Sequence, residues 1–127
     1  MPDDVTDAEL AVLQVLWETP GATIRKLTNR LYPPGNPSQY ATVQKLLERL
    51  ENKGFVSRDR DSSRHTFQAR IDRDHLIGRR LRELSDQLCE GSLTPLLSNL
   101  VGNRRLSQQE RDELRELVAR LDQQSKE

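Results

Sequence analysis

Residues 38–54 read SQYATVQKLLERLENKG. The apolar residues Val43, Leu46, Leu47 and Leu50 recur at i, i+3, i+4 and i+7, one narrow stripe of an amphipathic helix. Ser38 is placed to cap its start, and Gly54 suits the left-handed position that ends a helix. The spacing predicts a helix over 38–53. At about 100° per residue, the face opposite the stripe carries Ala41, Lys45, Glu48 and Asn52, with Thr42 and Arg49 on one flank and Gln44 on the other. Such side chains hydrogen-bond base edges or phosphates, and a small alanine lets a helix come close. On an arbitrary helix the same face would be a solvated surface, so the flanking sequence decides the reading.

Upstream, Thr6-Asp7-Ala8-Glu9 is a capping box with Val5 and Leu10 placed for a hydrophobic staple. Leu10, Leu13, Leu16 and Trp17 continue as a core-facing stripe, which predicts a first helix over 7–18 ended by Pro20-Gly21. Trp17 continues the stripe and reads as a core residue. Ala22-Thr23 opens a second helix capped by Thr23, with Ile24, Leu27 and Leu31 inward. Tyr32 to Pro37 must be a turn, since no helix crosses that proline cluster. Two short helices, a turn and a longer helix with a polar outer face are the grammar of a helix-turn-helix.

Downstream the period changes from helix to strand. Residues 55–60 and 65–70 can pair as a hairpin around an Asp61-Ser62-Ser63-Arg64 turn. A hairpin directly after three helices is the wing of a winged helix. Charge placement agrees. Residues 1–24 hold five acids and no base, whereas residues 25–70 hold ten bases against four acids, a local surplus of six. Positive charge is thus concentrated where phosphates would lie.

From Asp72 onward, Ile77, Leu81, Leu84 and Leu88 form a coiled-coil-like seam that breaks at Glu90-Gly91-Ser92. A short helix over 92–101 follows, with Leu93, Leu96, Leu97, Leu100 and Val101, and Pro95 tolerated only in its first turn. Ser107-Gln108-Gln109-Glu110 is a second capping box, opening a last helix with Leu114, Leu117, Val118 and Leu121 on one face. Three such segments are too thin for a core of their own; two copies related by a two-fold axis would complete one, and the other reading is that they pack back on the N-terminal domain of a single copy.

The chain of 127 residues bounds the rest. It has 20 basic and 20 acidic residues, few aromatics and a single cysteine, Cys89, so no internal disulfide can form. A net charge of zero argues against a general polyanion binder but not against a local basic patch. The start shows no signal-peptide pattern and no apolar run reaches membrane-spanning length, so the expectation is a soluble cytoplasmic protein without membrane association. His65 and His75 read as surface residues, and Cys89 as a small buried apolar residue. Neither histidine stands with Cys89 or a carboxylate at metal-ligand spacing, and no phosphate-cradling loop or nucleophile elbow occurs. The expectation is therefore no enzyme, no metal and no cofactor.

Five segments together resemble the penicillinase-repressor family of bacterial transcription regulators, the BlaI/MecI type. They are Leu10–Glu18, Tyr40–Val43, Arg49-Leu50 with Lys53-Gly54, Gly91-Ser92 before an apolar segment, and Leu106–Glu110. The resemblance implies a homodimeric winged-helix repressor on an inverted-repeat operator, with a C-terminal helical dimerisation region. In antibiotic-responsive members a sensor-protease pathway cuts the repressor between an asparagine and a phenylalanine; the matching pair here is Asn99-Leu100, which keeps only the asparagine. Copper-responsive relatives carry a C-terminal cysteine cluster, and the ending LDQQSKE has none.

The resulting expectation is a mainly α protein: a winged helix-turn-helix domain over 1–71, with three helices and a β-hairpin wing, and a helical dimerisation domain over 72–127. Thr42 and Lys45 would read bases beside Ala41. Gln39, Tyr40 and Arg49 would touch backbone or groove edge, and Arg58, Arg60 and Arg64 on the wing phosphate or minor groove. Ile77, Leu81, Leu84, Leu88, Leu96, Leu97, Leu100, Leu114, Leu117, Val118 and Leu121 would pair two copies. The partners are duplex DNA, a second copy and a regulatory protease acting near Asn99-Leu100. The alternative is a winged-helix module for protein–protein contact without DNA, which the local basic surplus counts against.

Overall fold

A computed structural model describes residues 5–60, 64–103 and 105–126. The element order is α1 (Asp7–Glu18), β1 (Ala22–Thr23), α2 (Ile24–Leu31), α3 (Pro37–Asn52), β2 (Val56–Asp59), β3 (Thr66–Ala69), α4 (Arg73–Leu88), α5 (Thr94–Asn103) and α6 (Gln108–Lys126). This is a winged helix followed by helices. Two compact units result, Met1–Gly78 and Arg79–Glu127, so the division falls inside α4.

The capping box of α1 forms: Glu9 N donates to Thr6 Oγ1 (3.2 Å) and Thr6 N to Glu9 Oε1 (3.4 Å). The buried side of α1 is wider than the predicted stripe. Leu13 and Leu16 are sealed, but so are Val12 and Val15, while Leu10 and Trp17 are only partly buried. The reason is that α2, α3 and β3 all pack against α1 and cover more than one of its faces. Trp17 packs on this core while its indole N–H donates to the Ile71 carbonyl (2.8 Å).

Ala22-Thr23, expected to open a helix, instead forms a third strand. Thr23 does cap α2, accepting from Lys26 N (3.2 Å), but at φ −84° and ψ 166°. An N-cap residue lies in the extended region, so it can pair as a strand while capping. β1 joins β3 with Ala22 opposite Phe67, and β2 pairs with β3 with Arg58 opposite Phe67, giving an antiparallel sheet in the order β1-β3-β2. The hairpin strands are each shorter than expected, and the turn residues 61–63 lie outside the described residues.

The start of α3 differs from the expectation. Asn36, not Ser38, is the cap: Gln39 N donates to Asn36 Oδ1 (2.9 Å) and Asn36 N to Gln39 Oε1 (3.0 Å). Pro37 is the first helical residue, where its fixed φ suits the helix and its missing N–H costs nothing. The helix ends one residue early, with Lys53 as C-cap, and Gly54 takes φ +81° as its left-handed role requires. Val43, Leu46, Leu47 and Leu50 are all buried, together with Phe67, Leu27, Ile71 and Leu76 from the surrounding elements.

In the second unit the break after α4 is a tight reversal. Glu90 and Gly91 take φ +50° and +83°, and Gly91 N donates to the Ser85 carbonyl (3.0 Å). Ser85 is buried and its hydroxyl donates to the Ser92 carbonyl (3.2 Å). Cys89 is half-buried rather than buried, because the chain leaves the helix there. α5 starts and ends two residues later than expected, with Ser92 Oγ accepting from Thr94 N (3.3 Å) and Pro95 in its first turn. The second capping box forms, with Glu110 N donating to Ser107 Oγ (3.2 Å).

Candidate nucleic-acid interface

The exposed side of α3 carries Ala41, Thr42, Lys45 and Arg49, all open to solvent. Two of the expected contact residues also make local hydrogen bonds. The Thr42 hydroxyl donates to the Ser38 carbonyl (3.1 Å), and Gln39 Oε1 accepts from Asn36 N (3.0 Å), which leaves the Gln39 side-chain NH2 outside that cap.

The wing is tied to α3 through Arg58. Its guanidinium pairs with Glu51 Oε1 (2.8 Å), approaches His65 Nδ1 (3.3 Å) and stacks over the Phe67 ring (4.9 Å). With its side chain only 21% exposed, Arg58 works as a bracket between β2, β3 and α3. Arg60 and Arg64, at the two sides of the turn, are exposed, as is His65.

Between α2, α3 and the wing lies an open cleft of about 980 Å³, lined by Thr23, Ile24, Arg25, Lys26, Asn29, Arg30, Tyr40, Gln44, Arg58, Arg64 and His65. It gathers Tyr40, Arg58 and Arg64 from the sequence-predicted set. Gln39, Ala41, Thr42, Lys45, Arg49 and Arg60 are not part of its wall. Five of its lining residues are Arg or Lys and none is Asp or Glu. The sequence reading assigns no contact to Arg25, Lys26 or Arg30, places Gln44 only on the flank of the α3 face, and reads His65 only as a surface residue. A signal existed: Arg25 and Lys26 occupy the first turn of α2, which has no acid. Cations there oppose the helix dipole, at a cost of about 0.3–1 kcal/mol each, so helix stability does not explain them.

A buried ion pair ties the end of α3 to α1. Lys53 Nζ lies 2.8 and 2.9 Å from the two carboxylate oxygens of Glu9, whose side chain is 1% exposed. Burial pushes the Glu9 carboxyl up, but hydrogen bonds from Lys53 and Thr6 and the Lys53 charge outweigh it and hold the group below its ordinary value. The α1 capping box is thereby joined to the C-terminus of α3, which restrains that helix in the unit.

The expected pairing residues lie on α4, α5 and α6. Ile77, Leu81, Leu84, Leu88, Leu97, Leu100, Leu117, Val118 and Leu121 are each at least 40% exposed, and Leu96 and Leu114 are half-buried. Leu93 and Val101 are exposed with them. Between α5 and α6 lies a furrow of about 210 Å³ lined by Leu97, Leu100, Val101, Leu106, Leu114 and Leu117, with Glu110 and Glu113 alongside. Asn99 and Leu100 are both exposed on α5, and the Asn99 amide donates to the Pro95 carbonyl (3.0 Å).

Among the described residues no three His, Cys, Asp or Glu side chains gather as a metal cluster, and no helix is long and apolar enough to cross a membrane. The arrangement offers cations, amides and a hydroxyl, which bind and orient a polyanion.

Comparison with known proteins accords with this geometry. Residues 5–120 match the family model described as penicillinase repressor. The chain is 23% identical over 115 residues to the methicillin resistance regulatory protein MecI of Staphylococcus aureus strain N315, covering 91% of this chain and 93% of that protein. It is 25% identical over 114 residues to the penicillinase repressor of Bacillus licheniformis, covering 90% and 88%. An uncharacterised 16.5 kDa protein of Latilactobacillus sakei is 24% identical over 116 residues, covering 91% of this chain and 79% of that one. The chain belongs to the penicillinase repressor family, a family of transcriptional repressors and not of enzymes.

Proposed function

We propose that this protein represses transcription as a homodimer whose winged helices occupy the two halves of an inverted-repeat operator. The observation that carries the reading is the basic surface of α2, α3 and the wing on the fold of a repressor family. Lys45 and Arg49 of α3 face the major groove, with Ala41 allowing close approach and Tyr40 at the groove edge. Arg60 and Arg64 meet phosphate or the minor groove, and Arg58 holds the wing in place for them. Residues 72–127 form the dimerisation region, its exposed leucines on α4 to α6 covered by the second copy, since apolar patches of this kind mark association surfaces. Repression follows from occupying the promoter.

Relief by a protease acting near Asn99-Leu100 fits the exposure of that pair. Peptide cleavage there first requires opening a turn of α5, and it separates α6 from the preceding helices. Losing that part of the dimer surface lowers operator affinity without touching the DNA-facing side. The test of the function is a salt-dependent gel shift on inverted-repeat DNA, paired with sedimentation of the full chain at micromolar concentration. Binding that ignores salt, or a monomer at that concentration, would remove the reading.

A further inference from the structure

Stability does not account for the pair formed by Glu51 and Arg58. Glu51 lies in the last turn of α3, where a carboxylate meets the negative end of the helix dipole. Its side chain is 24% exposed and that of Arg58 21%, and a single partly exposed ion pair contributes little to folding. Arg58 Nε is buried with no hydrogen-bond partner among the described residues, a donor removed from water with nothing in exchange. Charge does not account for the pair either. Beside a surface that meets phosphates, a carboxylate repels them, and this one neutralises a cation that lines the cleft.

What the pair supplies is geometry. Arg58 stands on β2 opposite Phe67 on β3, and one more ladder pair, Asp59 with Thr66, separates it from the tip that carries Arg60 and Arg64. Both strands are only four residues long. β2 is an outer strand of the sheet, and β1 supports β3 from the other side. The Arg58 guanidinium lies 4.9 Å from the centre of the sealed Phe67 ring and 2.8 Å from Glu51 Oε1. A planar group held between a buried ring and a helix end restrains the direction in which the short hairpin leaves the body.

We propose that Glu51 is a positioning residue for operator recognition: acting through Arg58, it fixes the angle between α3 and the wing, so that one half-site meets both together. The inference rests on the operator-binding reading and deepens it. An acidic residue of α3 thereby strengthens the binding of a polyanion, and it does so without touching the duplex. With the angle set in the free protein, ordering the wing costs nothing at the moment of binding, and the contacts of Arg60 and Arg64 add in full to those of α3. Without the tie the wing must be ordered on the duplex, and its contacts add less.

The experiment compares the full chain with Glu51→Ala, with Arg58→Met, which keeps an apolar side chain over Phe67, and with the double variant. Affinity for operator and for scrambled duplex is measured across salt, and hydroxyl-radical footprints are taken of the complexes. Charge alone predicts that Glu51→Ala binds both duplexes more tightly. Positioning predicts the opposite on the operator, a loss of about 10-fold, the size of coupling within one hydrogen-bonded network. The double variant should lose no more than either single one, because both act through one tie. The footprint of Glu51→Ala should lack the protection that Arg60→Gln, Arg64→Gln also removes and keep the rest. Operator affinity of Glu51→Ala at or above the parent's overturns the assignment and leaves the operator reading standing. So does an Arg58→Met chain that weakens both duplexes alike, with a salt slope shallower by about 0.9, while Glu51→Ala is silent, since Arg58 then meets a phosphate itself. Should Glu51→Ala lose its fold, Glu51→Gln replaces it, still offering Arg58 an oxygen: weaker operator binding than the parent's supports the tie, and tighter binding overturns it. A parent chain that binds neither duplex removes the operator reading and the positioning role with it.

Discussion

The two units of this chain dispose of their apolar residues in opposite ways. In the first, Leu13, Leu16, Leu27, Val43, Leu47, Leu50 and Phe67 are sealed inside. In the second, Leu81, Leu84, Leu88, Leu97, Leu100, Leu117 and Leu121 are left outside. Full burial of one such side chain stabilises by about 1.5–3 kcal/mol, so the first unit is built to stand alone and the second has not used what its sequence offers. Among the described residues every exposed large apolar side chain falls at Ile77 or later. The first unit thus closes a core of its own, whereas the second leaves most of its large apolar side chains exposed.

The largest effect expected from breaking this division is on affinity. A fragment ending at Gly78 retains Ile71 and Leu76, both buried in the first core, and the Trp17–Ile71 hydrogen bond. It should fold and remain a monomer, and lose roughly 10²–10⁴-fold in affinity for the paired site, the usual gain from linking two half-site contacts. Gel shift and sedimentation together check this; undiminished affinity in a monomeric fragment would contradict a dimer that acts through effective concentration.

Next come the buried charges of the closed unit. Lys53→Met should destabilise by about 3–5 kcal/mol, because Glu9 is left charged in the interior. Glu9→Gln should cost less, about 2 kcal/mol, since Lys53 is 17% exposed and can recover water. Because the folded Glu9 carboxyl sits below its ordinary value, its contribution is present above that value and is lost as pH falls through the folded one. Denaturant melts between neutral pH and pH about 3 should show an acid-labile component that is missing in Glu9→Gln.

Smaller effects sharpen the division of labour on α3. Lys45→Ala should cost about 1–3 kcal/mol on the operator and relax preference at one position in each half-site. Thr42→Ala should change little, because its hydroxyl already donates to the Ser38 carbonyl. Competition binding against operators varied one base pair at a time separates the two residues. Asn36→Ala should lower the melting stability of the first unit by about 1 kcal/mol through loss of the α3 cap, whereas Ser38→Ala should be nearly silent.

The smallest effect contrasts the units directly. Leu121→Ser, at a side chain 62% exposed, should leave single-chain stability within about 0.5 kcal/mol while weakening self-association. Leu47→Ser in the first core should instead unfold the first unit. Concentration-dependent melting distinguishes the two outcomes.

Much of this architecture is legible in the sequence because it is local. The capping boxes at Thr6 and Ser107, the stop at Gly54 and the stripe Val43, Leu46, Leu47, Leu50 each depend on residues within two turns of one another. The same locality misplaced the α3 cap. Asn36 lies inside a proline-rich turn, and Pro37 reads as part of that turn although it is the first helical residue.

What the sequence could not determine involves distant residues. Ala22-Thr23 becomes a strand only because β3 returns beside it, and Glu9 becomes an internal ion only because Lys53 arrives from 44 residues away. The cleft is likewise a product of the tertiary fold: Arg25 and Lys26 come from α2, Gln44 from α3 and Arg64 from the wing. Local periodicity and capping chemistry select each helix, since their energies act within a few residues. Which charges share a surface, and which are neutralised, depends on how those helices and strands close around one core.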